Sequence, residues 1–412
     1  MVEPPPTPVL PPPPPPRRRR RSWPWAAGAI ALTIALIAAL GAVGASKQSH
    51  RRDEIRADRA LLNHVLPGLR RDAADVRELP YERTVVVRLL PSVEAIPDVF
   101  RVLDVGGDPL PSRPVLSALD MIGPLPGSGE LSGYYDPGTG VVTIFDNVDL
   151  DRPYGRGVVI HELTHALVDQ RFDLDLVGRA IVDGDSFLAT SSLVEGDAML
   201  AEHLWLERTA PEEPSPFHGY RDPEDGEALF AGFPYVRGYE FVRSLYDAGG
   251  WEALNEAYRR PPVTSEQVLH PEAYLAGDSG VPAPEEVMSP APGLGAQFED
   301  GRVGELFLRG LLGPTAPASA SEGWDGGAYH AFRDDEGRVS VHVVLAWDAP
   351  SDVGEFVGAL GRWAAEAFGG FTDFGPRETG HRYGAGSHCI DMAVDEFHAL
   401  VTFTVIGHPC DA

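Results

Sequence analysis

Along this chain the spacing of hydrophobic and polar positions changes period repeatedly, and each change marks an element. Residues 22–46 carry no charged side chain, a run long enough to cross a bilayer as one helix. From Asp53 to Leu79 the pattern is charged and helical, which predicts a stem. Tyr81–Leu90 is rich in Val and predicts a strand, while Val93–Leu103 and Ser112–Ile122 predict helices set apart by Pro-rich breaks. Gly133–Phe145 holds two β-rich runs around Asp136-Pro137-Gly138, a hairpin. Residues 239–258 predict two helices divided at Gly249-Gly250, and Ser265–Tyr274 a short third. The Pro-rich stretch Val281–Pro292 predicts a linker. Beyond it come a helix at Gly304–Leu312, a strand at Val339–Trp347, a helix at Val353–Phe368 and alternating strands across Cys389–Ile406. The expected class is α+β, with a small mixed sheet and a helical half over residues 81–292 and a second, small α+β domain over 293–412.

The N-terminal sequence adds an expected topology. Residues 4–16 are almost all Pro and predict an extended polyproline II segment; Arg17 to Arg21 follow directly. The polybasic cluster favours a cytoplasmic tail over 1–22 and a signal anchor over 23–45, with a juxtamembrane stem over 46–80 and the rest outside the membrane. Val43-Gly44-Ala45 offers the alternative of cleavage and secretion. The formal net charge is −27, although eight Lys and Arg precede Asp53, so the remainder is more acidic still. Such a field argues against nucleic acid and other polyanions as partners. Two cysteines, Cys389 and Cys410, are either bridged, closing a loop of about 20 residues, or buried as thiols.

Candidate chemistry centres on His161-Glu162-Leu163-Thr164-His165. His-Glu-x-x-His on a helix sets the two imidazoles about one turn apart, where both reach one metal ion, and Glu162 can hold and deprotonate a water on that metal. The flanks Val158–Ile160 and Ala166–Val168 are uncharged, as burial of the helix requires. A catalytic zinc needs a third protein ligand and one open position. A third His close after the motif is absent, since Val168 and Arg171 occupy its places. Glu195 is the candidate, beside an apolar stripe of Val194, Ala198 and Ala201; as an alternative, Ser192 and Glu195 form a capping box. Asp183, Asp185 and His203 are further candidates, and Glu202 is expected in solvent.

Together, HELTHALVDQ and LVEGDA resemble bacterial, membrane-associated zincin-like peptidases of the group whose third ligand is a Glu. The resemblance covers roughly residues 80–320. It implies Zn²⁺ held by His161, His165 and Glu195, with Glu162 as general base. It also implies that Tyr235, in Phe233-Pro234-Tyr235-Val236-Arg237-Gly238 at a helix start, donates to the oxyanion, although Arg237 stands where Lys is usual. Tyr239 and His270 are rivals for that role, and a buried structural aromatic is the plainer alternative for Tyr235. The interval from His165 to Glu195 exceeds that of the aminopeptidase branch, which alters the expected cleft. An edge strand before the metal helix, either Gly133–Tyr135 or Val141–Phe145, would pair with an extended peptide; the equal alternative is that both are core strands. The expected function is that of a membrane-anchored, extracytoplasmic zinc peptidase acting on peptide or protein substrates. The alternatives are a non-catalytic, membrane-tethered binding protein with a structural or vestigial zinc site, and a zinc amidase acting on a cell-wall bond.

Overall fold

The computed structural model describes residues 48–91, 110–122, 132–212, 226–277, 293–314, 316–370, 372–377 and 380–410. Segment 23–45 and the helix expected at Val93–Leu103 lie outside them. Among the described residues no helix is long and apolar enough to cross a membrane.

The architecture is mixed α+β, as the patterning implies. Helix α1 (Gln48–Arg77) leads into β1 (Val86–Leu90), the short α2 (Arg113–Ala118) and the hairpin of β2 (Gly133–Asp136) and β3 (Val141–Phe145). These strands form a three-stranded sheet in the order β1-β3-β2, with β1 parallel and β2 antiparallel to β3. The hairpin therefore falls where expected, and it leaves β2 rather than β3 at the sheet edge.

Next come the long helices α3 (Pro153–Phe172), α5 (Gly184–Thr209) and α6 (Gly226–Arg259), with one-turn α4 (Leu174–Val177) between the first two. Pro153 opens α3, where its fixed φ suits the helix and its missing N–H costs nothing. A reciprocal capping box of Asp183 and Ser186 starts α5. Ser192 lies well inside α5, so the capping reading of Ser192 and Glu195 is overturned. Helix α6 begins before Pro234 and encloses it, which corrects the expectation that Pro234-Tyr235 opens a helix. The expected break at Gly249-Gly250 is present, with φ of +63° at Gly250.

Helices α5 and α6 cross where Gly196 meets Gly238. A Cβ on Gly196 would lie 2.2 Å from the Gly238 carbonyl oxygen, so only glycine permits this approach. The crossing holds the helix bearing Glu195 rigidly against its neighbour.

The segment expected to be a stem has a different role. In α1, Leu62, Leu66, Leu69, Ala73 and Val76 are buried in the main core, an apolar stripe at helical spacing. Its last residue, Arg77, is fully buried; its Nε donates to Asp197 of α5 at 3.0 Å, and its guanidinium lies 4.4 Å over the Trp251 ring. Breaking such a buried pair on one side costs about 3–5 kcal/mol, so α1 is a structural member of the helical half.

After α7 (Ser265–Leu269) and α8 (Pro271–Ala276), the C-terminal part contains β4 (Ala296–Arg302), α9 (Glu305–Leu312), β5 (Trp324–Arg333), β6 (Val339–Trp347), α10 (Pro350–Phe368), β7 (Thr372–Arg377), β8 (Gly380–Ala385), β9 (His388–Asp395) and β10 (Leu400–Ile406). Its strands build a seven-stranded antiparallel sheet in the order β4-β5-β6-β10-β9-β8-β7. Helix α10 lays Phe356 against Trp347 and Phe403 of that sheet. Cys389 and Cys410 form a disulfide, which ties the C-terminal end to β9.

At the start of α5, Asp185 is buried against α7 and accepts a hydrogen bond from the Ser265 N–H at 3.1 Å, while its Oδ2 has no partner. Burial pushes its carboxyl up to about 7. The unfolded chain releases this proton near pH 4 and the folded chain near 7, so ionisation costs stability across that window. Asp185→Asn should therefore gain stability relative to wild type as pH rises from 4 to 7, by up to about 4 kcal/mol. Above 7 the difference should be constant. Denaturant titrations of both proteins across pH check this; a difference independent of pH would contradict it.

Candidate metal centre

Helix α3 supplies three of the four central side chains. Val159 to Val168 are all buried, so α3 has no solvent face around its motif. His161 and His165, four residues apart, set their rings edge-on with centroids 4.8 Å apart. Helix α5 crosses beside them and brings in Glu195 from 30 residues beyond His165. Glu195 Oε2 is 3.3 Å from His161 Nε2 and 3.5 Å from His165 Nε2. Among the described residues, this is the one group of three or more His, Cys, Asp or Glu whose ligand atoms all lie within 4.8 Å of one another.

Those separations fit a cation. Ligands about 2.0–2.1 Å from a tetrahedral zinc stand roughly 3.3 Å from each other. Two imidazoles and a carboxylate are a donor set that suits zinc. Although burial alone would raise it, His165 and His161 hold the Glu195 carboxyl down to about 2, so it is ionised, the form a metal ligand must take. Among the candidates named from the sequence, the structure thus brings together His161, His165 and Glu195.

Glu162 is equally buried, at 7% exposure. Burial pushes its carboxyl up, and the acids Glu195 and Glu202 add to this against the two imidazoles. A raised carboxylate is a stronger proton acceptor. The start of β2 closes over it: a Cβ on Gly133 would sit 3.2 Å from Glu162 Cγ and 2.8 Å from the Thr143 carbonyl oxygen. Glu162 therefore packs against the start of β2, an edge strand of the three-stranded sheet.

Glu202 contradicts its expected place in solvent. It is 4% exposed, and its Oε2 stands 3.5 Å from His161 Nδ1, the ring nitrogen turned away from Glu195. A carboxylate in this place fixes ring orientation and makes the other nitrogen a better ligand. It was missed because α5 is buried from Gly184 to Glu202 on nearly every side, leaving no polar face to read. Its position seven residues after Glu195, two helical turns along the same stripe, was the available signal. Glu202→Leu should weaken zinc binding by about 10–100-fold, measured by chelator competition; an unchanged affinity would remove Glu202 from the centre.

The remaining candidates fall elsewhere. Asp183 caps α5 and pairs with Arg302 at 2.8 Å. Asp185 is engaged at α7, and His203 pairs with Glu207 at 3.2 Å and packs edge-on to Tyr239. His270 sits between α7 and α8 with Nε2 3.0 Å from Glu305 of α9, whose carboxylate raises its pKa. That is a structural contact between helices. Tyr235 is half-buried within α6, three residues before the Gly238 that meets α5.

Comparison with known proteins gives one match. Residues 293–390 match a domain of unknown function (DUF8575), which covers most of the seven-stranded sheet and none of the metal centre. No curated protein and no solved structure matches the chain significantly.

Proposed function

We propose that the chain is a zinc-dependent peptidase of the zincin-like type with a Glu third ligand, anchored in a membrane by residues 23–45 with its folded part on the extracytoplasmic side. One observation carries this reading: His161, His165 and Glu195 converge from two helices at ligand spacing, with the buried carboxylate of Glu162 adjoining. The disulfide is consistent with an oxidising compartment.

Zinc, when bound by these three residues, supplies Lewis acidity to water and to the scissile carbonyl. The chain's own residues do the rest. In this reading an extended peptide adds to the edge of β2, the strand whose first glycine packs on Glu162. Glu162 accepts the proton of the attacking water and later passes it to the leaving amine. The resemblance alone gives Tyr235 the role of donating its hydroxyl to the oxyanion. Glu202 holds the His161 ring in place.

The test is cleavage of a peptide library by the zinc-loaded full chain. Cleavage abolished by chelator and restored by zinc is expected; no cleavage under any metal loading would overturn the reading.

A further inference from the structure

The C-terminal sheet carries a second pair of imidazoles, on the face turned away from α10. Phe403 of β10 stands opposite Val343 of β6, and α10 packs Phe356 on Phe403. Side chains alternate along a strand, so His342, next to Val343, points to the other face. Its neighbour across the ladder is His330 of β5, in direct register. Residues so placed share a face with Cβ atoms about 4.5–5.5 Å apart. Two imidazoles can close that span on one cation with metal–nitrogen bonds of about 2.0–2.1 Å. The pair lies inside the segment that matches the domain of unknown function.

The nitrogens of this pair lack partners. His342 is 6% exposed and its Nε2 has no hydrogen-bond partner among the described residues. The same holds for both ring nitrogens of His330, and all three atoms are shielded from solvent. Buried polar atoms are nearly always paired, and an orphan calls for a water, an ion or a chemical role. His342 Nδ1 lies 2.8 Å from Thr404 Oγ1 on β10. With its Nδ1–H donated to that hydroxyl, Nε2 keeps a lone pair, the arrangement in which histidine ligates a metal. Burial, with His330 adding to it, pushes His342 down to about 4, so the ring is neutral at neutral pH, as a ligand must be. Charges along the same cross-strand row favour a cation over an anion. Asp300 of β4 stands opposite His330, while Arg382, beyond Thr404, is bonded to Asp391. His330 itself is half-buried, which leaves its ring room to turn towards the cation.

We propose that His330 and His342 bind a divalent late transition-metal cation between β5 and β6, with water completing its coordination. This site shares no residue with the centre at His161, His165 and Glu195, and it does not depend on the peptidase reading. Two protein ligands hold a metal more weakly than three, so zinc leaves it on dialysis. Cu²⁺, at the top of the divalent affinity order, is therefore the probe. The full-length His161→Ala/His165→Ala chain, which lacks the first centre, should bind one Cu²⁺ with the electron paramagnetic resonance signature of two imidazole nitrogens. His330→Gln or His342→Gln, added to that background, should lower copper affinity at least about tenfold and abolish the two-nitrogen signature, with circular dichroism unchanged. Copper should raise the Tm of the parent chain and not that of His330→Gln. Because His330 is the half-buried member, His330→Gln tests the site even where loss of His342 unfolds the sheet. An affinity and spectrum unchanged by His330→Gln would refute the site and leave the orphaned nitrogens to ordered water only.

Discussion

Glu162→Gln should keep its zinc and lose about 10²–10⁴-fold in peptide hydrolysis, the usual contribution of a general base. The substitution is nearly isosteric, so the tight fit of this side chain beneath Gly133 is preserved. What disappears is the capacity to take a proton. Glu162 is buried and its carboxyl pushed up, the environment expected of a group that must accept a proton from water and return it. The ligands beside it are untouched, so elemental analysis should find wild-type zinc. A variant that hydrolyses peptides within twofold of wild type would remove Glu162 from the chemistry.

Glu195→Ala should lower zinc affinity by more than the 10–100-fold typical of an outer-shell change, because it deletes a ligand outright. Its carboxylate lies 3.3 and 3.5 Å from the two imidazoles. The helix carrying it is held independently by Arg77 on Asp197 and by the glycine crossing with α6. The loss should therefore be local, with the fold retained by circular dichroism. Chelator competition gives the affinity. A dissociation constant equal to that of wild type would place the third ligand elsewhere.

How much of this was legible in the sequence follows from what each residue needs. His161, Glu162 and His165 were legible because their role depends on one helical spacing. Glu195 was legible only through the stripe beside it and the family resemblance, since 30 residues separate it from His165. Glu202 was not, because a helix buried on all sides erases the contrast between inner and outer faces. The same cause hid the role of α1, whose many charges mask the stripe that enters the core. In the C-terminal sheet β6 stood out as a run of buried Val and Leu, but the edge strand β4 is mostly exposed and β5 is interrupted by a bulge at Gly326, so neither shows clean alternation.

The most direct test of the central claim is the zinc content of the full chain, compared with that of a His161→Ala/His165→Ala double variant by elemental analysis after dialysis. One zinc per wild-type chain and none in the variant are predicted. A wild type without zinc, or a variant that keeps it, would contradict the metal centre from which the proposed function is drawn.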